Sequence, residues 1–126
     1  MEAAAIVAVV LLAILTVFQL ALAAGAPWGA AAYGGSWPGT MPKGIRINSL
    51  VFAIAIYPIV ILYFLDAGGV LDLSWLPGSR TLVMWVIAAF FAVAAFANFA
   101  SRSKPERLWG PVALAICACS VIIALG

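Results

Sequence analysis

The ten charged side chains of this 126-residue chain are placed so that residues 3–42, 47–65, 81–101 and 108–126 carry none. A helix needs about 20 apolar residues to cross the roughly 30 Å hydrocarbon core of a bilayer. The last three stretches each fit one crossing. The first is twice as long, but its second half, GAPWGAAAYGGSWPGTMP from Gly25, is too rich in glycine and proline to hold a straight helix. The charge gaps therefore predict four spans, at about 3–24, 46–66, 80–101 and 108–125.

Composition closes off the alternatives. Charged residues make up 8% of the chain and hydrophobic residues 67%, where a soluble domain carries about 25% and about half. A mean hydropathy of +1.24 agrees. A soluble globular domain and a disordered chain are excluded. A net charge of +2 without a basic cluster gives no footprint for nucleic acid. The apolar runs lack the short alternating segments of a β-barrel. The expected fold is all-α: an integral membrane antiparallel four-helix bundle, a single transmembrane domain over 1–126 with an apolar Gly/Pro/Trp-rich loop at 25–45.

The LALAAGA run offers small residues at a spacing suited to signal cleavage, but Glu2 stands where a positive n-region is required, so the first span is read as a retained helix. With four spans, the loops at 25–45 and 102–107 share one side. That side holds Lys43, Arg46, Arg102, Lys104 and Arg107, against Arg80 alone on the other. The positive-inside rule then predicts both termini outside and both basic loops cytoplasmic. Trp28, Trp37 and Trp109 fall near the inner ends of the spans and Trp75 and Trp85 near the outer ends, where indoles anchor at the interface.

Four features are candidates for function. The loop at 25–42 is apolar yet full of helix breakers, so it lies in the headgroup zone or folds back as a cap over a pocket. Gln19, Asn48, Ser49 and Asn98, with Ser101, fall at similar depth near Arg46 and Arg102. They are read as interhelical hydrogen bonds or as the polar floor of a cytoplasm-facing pocket. Pro58, after Tyr57, interrupts the second span and is a packing kink or a hinge. Cys117 and Cys119 are about 200° apart on a helix, so they serve as small apolar fillers. The chain contains no His, and no metal site or cofactor is expected. No ionisable residue lies at mid-membrane depth, which removes the usual groups for proton-coupled transport or hydrolysis. Asp66 is expected to end the second span before Gly68-Gly69. At the turn between the third and fourth spans, Pro105 and Pro111 set the geometry and Glu106 is placed to pair with Arg102 or Arg107.

The segments GAPWG (25–29), MPKGIR (41–46) and SRSKPERLWGPVAL (101–114) carry a resemblance. With Ser103, Pro105, Glu106, Arg107, Trp109, Gly110 and Pro111 as its most specific run, the chain resembles small alanine-rich four-helix membrane proteins of bacteria. The resemblance implies the four-span topology and a multi-pass position in a bacterial plasma membrane. It carries no activity and no functional residue.

The expected function is that of a non-enzymatic subunit or interaction partner in the membrane, forming a homo-oligomer or joining a larger complex. The basis is the uncharged spans and the small-residue face Ala88, Ala92 and Ala95. The alternative is a carrier or channel for a small or hydrophobic molecule, with the loop at 25–42 at its mouth. A third reading is a lipid- or quinone-related enzyme.

Overall fold

The computed structural model describes residues 1–126 and is all-helical. Four helices are long and apolar enough to cross a membrane: α1 (Glu2–Ala23), α2 (Lys43–Ala67), α3 (Arg80–Phe99) and α4 (Lys104–Leu125). They pack around one core. Ala5, Ala8 and Leu12 of α1 meet Tyr57 and Phe64 of α2, Met84 and Phe91 of α3, and Ile116 and Ile123 of α4. Helix α1 contacts α2 and α4, and α3 packs extensively on α4 and far less on α2. Ser120, fully buried on α4, donates its hydroxyl to the Met84 carbonyl of α3 at 2.6 Å. Gly110 lets the Phe99 ring approach α4 where any Cβ would collide with it.

The helices differ from the expected spans mainly at their ends, for local reasons. Helix α2 begins at Lys43 rather than near residue 46, because Pro42 at φ −58° leads directly into the first turn. Helix α3 begins after Ser79, whose side chain accepts the Leu82 N–H at 3.4 Å. It ends at Phe99, two residues short of the expected boundary. Helix α4 starts four residues early, with Pro105 in its first turn, and is interrupted at Leu108. Pro111 explains the interruption, because it has no N–H to give the Arg107 carbonyl and its ring crowds that oxygen. Asp66 lies at the end of α2 as expected, followed by Gly68 and by Gly69 at φ +77°.

Proline 58 acts through the turn before it. Residues Phe52–Ile56 form a π turn, and the Tyr57 N–H bonds to the Phe52 carbonyl. On a regular α-helix, residues five apart lie about 140° from each other. The wider turn brings Phe52 and Tyr57 onto one side, with ring centroids 5.5 Å apart.

The segment between α1 and α2 is a folded cap. It contains two short 3₁₀ turns, Gly29–Ala31 and Tyr33–Gly35. The Gly29 N–H bonds to the Gly39 carbonyl at 2.9 Å and closes the loop. A Cβ at Gly29 would run into the Trp37 and Gly39 carbonyls, so this closure requires glycine. Leu22, Ala32 and Met41 bury one another in a small second core that seats the cap on the end of α1.

Candidate functional site

Tyr33, Gly34 and Gly35 all have positive φ, at +50°, +69° and +72°. For Tyr33 this backbone is strained by about 1 kcal/mol or more. Side-chain contacts hold it. The Tyr33 hydroxyl accepts the Asn48 amide N–H at 2.8 Å and shares a hydrogen bond with Ser49 Oγ at 3.0 Å. The turn aims the Gly34 N–H at Glu106 Oε2, 2.6 Å away. The Ser103 hydroxyl donates to the Ala30 carbonyl. The cap is thus tied to α2 through Tyr33 and to the start of α4 through Glu106 and Ser103.

Beneath the cap lies a cavity of about 190 Å³. Its walls come from the cap and all four helices: Leu15, Phe18 and Gln19 of α1, Ala31–Tyr33, Phe52 and Tyr57 of α2, Phe90, Phe91, Ala94 and Asn98 of α3, and Glu106, Trp109 and Ala113 of α4. Most of this wall is apolar. Two of its residues hold buried polar atoms without a partner, Gln19 Oε1 and Trp109 Nε1. The Trp109 ring is packed on Phe18 at 4.6 Å between centroids. A buried polar group without a hydrogen bond costs roughly 1–3 kcal/mol; both atoms are covered by surrounding side chains, and the Gln19 side chain lies against the Tyr57 hydroxyl.

The polar residues of similar depth do not converge on one place. Gln19 and Asn98 wall the cavity. Asn48 is exposed and serves Tyr33 instead, as does the fully buried Ser49. Arg46 donates Nε to the Ala23 carbonyl at 3.1 Å and lies in a separate outer crevice beside Leu20, Ala23 and Ile47. Arg102 is exposed and makes no hydrogen bond to the chain. Pro58 sits one residue beyond Tyr57 and shapes the wall through the π turn.

Glu106 corrects a sequence expectation. It is 6% exposed and pairs with neither Arg102 nor Arg107. It is buried beneath the cap and takes the Gly34 N–H, while Arg107 donates Nε to the Ser101 carbonyl at 2.7 Å. Trp109 differs from a plain interfacial anchor in the same way, since its indole nitrogen is buried against the cavity wall. The exposed Trp28, Trp37, Trp75 and Trp85 keep an anchor's exposure. Tyr57, Glu106 and Trp109 are polar wall residues that sequence reasoning did not gather with Gln19 and Asn98, and Tyr33 entered only as part of the loop at 25–42. Their one sequence signal is the helix-breaking loop at 25–42, which had to cover something.

No group of three His, Cys, Asp or Glu side chains comes together to hold a metal ion. No known family, curated protein or solved structure matches the chain.

Proposed function

We propose that the chain is a non-enzymatic multi-pass membrane protein that receives a small, largely apolar molecule in the cavity beneath its cap. The observation that carries this reading is the cavity itself, a largely apolar wall drawn from all four helices and covered by a folded cap, with Gln19, Asn98 and Glu106 as its few polar residues. Small-molecule sites combine a mostly hydrophobic surface with a few polar groups that fix orientation. An apolar cavity of about 150 Å³ already takes up benzene, and 190 Å³ exceeds that. In this reading the helices form an antiparallel bundle in a bacterial plasma membrane, with both termini outside. The basic residues about the cap and the 102–107 turn support a cytoplasmic position for the cavity's end of the bundle.

The subunit reading draws less from the structure. Of its small-residue face, Ala88 and Ala95 are buried within the chain. They serve the bundle itself and leave only Ala92 for a partner.

The test is binding of bromobenzene, whose heavy atom quenches tryptophan fluorescence on contact. Trp28, Trp37, Trp75 and Trp85 are changed to Phe so that Trp109 reports alone, and the protein is placed in phosphatidylcholine nanodiscs. Saturable quenching is expected, weakened about tenfold or more by Ala94→Phe, which fills the cavity. Quenching that is linear in concentration, or the same in Ala94→Phe, overturns the reading.

A further inference from the structure

A crevice of about 490 Å³ opens between the end of α1 and the start of α2, sharing no residue with the cavity beneath the cap. Lys43 and Arg46 stand in its wall with Leu20, Ala23, Ile47 and Leu50. The two basic residues are three positions apart, so they share one face of α2. The Arg46 guanidinium is fixed: Nε donates to the Ala23 carbonyl at 3.1 Å, and Nη2 lies over Gly25, 3.3 Å from where a Cβ would stand. No Asp or Glu enters the crevice, and the chain's one ion pair is elsewhere, between Asp66 and Arg80. Like charges one turn apart destabilise a helix, and here nothing in the chain offsets them. Pro42 gives the first turn of α2 no side-chain cap, so its leading N–H groups add to the positive charge at this end.

The rest of the crevice is apolar and runs away from these charges. Leu20, Ile47 and Leu50 are 43%, 53% and 40% exposed. Lys43 and Leu50 lie about 10 Å apart along the axis of α2. The charged end and the apolar end are thus set in line along a membrane-spanning helix, as the head and chains of a lipid are. We propose that the crevice binds an anionic phospholipid from the leaflet at the cap's end of the bundle. Lys43 and the Nη groups of Arg46 take the phosphodiester, and an acyl chain lies along Leu20, Ile47 and Leu50. Basic pockets at the ends of transmembrane helices hold lipid heads in this way. A soluble anion matches the charges and leaves the apolar half uncovered. A choline lipid carries its own cation, which offsets the attraction of its phosphate.

The experiment places a tryptophan in the crevice by Leu50→Trp, in a chain whose Trp28, Trp37, Trp75, Trp85 and Trp109 are changed to Phe. Phosphatidylcholine nanodiscs then receive brominated phosphatidylglycerol or brominated phosphatidylcholine, whose bromines quench tryptophan on contact. Phosphatidylglycerol is expected to bind at this reporter about fivefold or more tightly than phosphatidylcholine. A second reporter, Val10→Trp, lies on an exposed face of α1 whose crevice is wholly apolar, and the two lipids are expected to quench it equally. Lys43→Gln removes an exposed charge whose side chain makes no hydrogen bond, and is expected to cut the preference by about half or more. Lys43→Gln with Arg46→Gln is expected to abolish it. Equal quenching by the two lipids at Leu50→Trp, or an equal preference at Val10→Trp, overturns the site. A preference unchanged in Lys43→Gln overturns the assignment of the head to these residues. Inorganic phosphate, compared with chloride at matched ionic strength, separates the two sources of a phosphate group. A preference that survives both salts supports the lipid, and one lost in phosphate alone overturns it in favour of a soluble anion.

Discussion

Glu106 accepts the backbone N–H of Gly34 through Oε2 at 2.6 Å, across 72 positions of the chain. The bond joins the least regular segment of the protein to the first turn of its last helix. A charged acceptor on a backbone donor contributes about 1.5–3 kcal/mol when shielded from water. Glu106→Ala is expected to destabilise the cap by about that amount and to expose the Gly34 amide. Glu106→Gln keeps an acceptor and is expected to cost less. Hydrogen exchange at residues 30–36, read beside helix amides such as Ile116, checks this. Equal exchange in wild type and Glu106→Ala would remove the carboxylate from its role as the tie.

Two glycines give opposite expectations. Gly35 has φ +72°, and a Cβ there would lie 2.7 Å from the Ser103 Cβ. Gly35→Ala is therefore expected to cost about 1–3 kcal/mol by strain and by pushing the cap off Ser103. Gly44 lies in the first turns of α2, with nothing within 4 Å of an added Cβ. Gly44→Ala is expected to stabilise by about 0.5–1 kcal/mol, because alanine has less freedom to lose on forming the helix. Thermal unfolding in one detergent compares the two, and a loss of stability in Gly44→Ala would contradict the helix start at Lys43.

The four helices were legible because a long uncharged apolar run has few ways to satisfy its backbone other than a helix: each of the four expected spans became one. Their ends were less legible because single residues set them. Pro42 and Pro105 start their helices a turn earlier than the charges suggest. The cavity was only half legible. Depth along a helix follows from counting residues, and Gln19 and Asn98, which counting sets at similar depth, both stand in the cavity's wall. Direction around the helix follows from packing, and adjacent residues differ by about 100°. That is why Ser49 is fully buried while Asn48 beside it is exposed. Glu106 read as a solvent-facing charge because nothing near it in sequence indicates that Gly34 lies above it. Its partner is a backbone N–H, which no residue type announces.

The orientation expected from the basic residues is testable with substitutions chosen from the structure. Arg46 and Arg107 hold the Ala23 and Ser101 carbonyls, so neutralising them disturbs helix ends as well as charge. Lys43, Arg102 and Lys104 are exposed and their side chains make no hydrogen bond to the chain. A reporter active only in the cytoplasm, fused after Gly126, is expected to stay silent in the parent chain. Changing Lys43, Arg102 and Lys104 together to Gln is expected to yield a mixed population with measurable reporter activity. Strong activity in the parent chain would reverse the orientation.

At the opposite end of the bundle, Arg80 organises the loop between α2 and α3. Its Nε donates to Asp66 in the chain's one ion pair. Its Nη2 donates to the Leu73 and Leu76 carbonyls at 3.2 and 3.0 Å, and its Nη1 to the Gly78 carbonyl at 3.0 Å. Asp66 in turn accepts the Leu73 N–H at 2.7 Å. With the Pro77 carbonyl at 3.5 Å from Nη1, one planar guanidinium therefore reaches an acid and four backbone carbonyls of a loop with no helix or strand of its own. Lysine keeps the charge but cannot reproduce the fork. Arg80→Lys is expected to retain the pairing with Asp66 and lose the carbonyl bonds, at a cost of about 1–3 kcal/mol. The effect should be local: faster amide exchange over 69–78, with the cap at 30–36 and the cavity's bromobenzene affinity unchanged. Arg80→Lys exchange that matches wild type over 69–78 would show that the loop is held by Leu76 and its apolar contacts instead. A change in bromobenzene affinity would couple the two ends of the bundle, which the separate contact sets of Arg80 and Glu106 argue against.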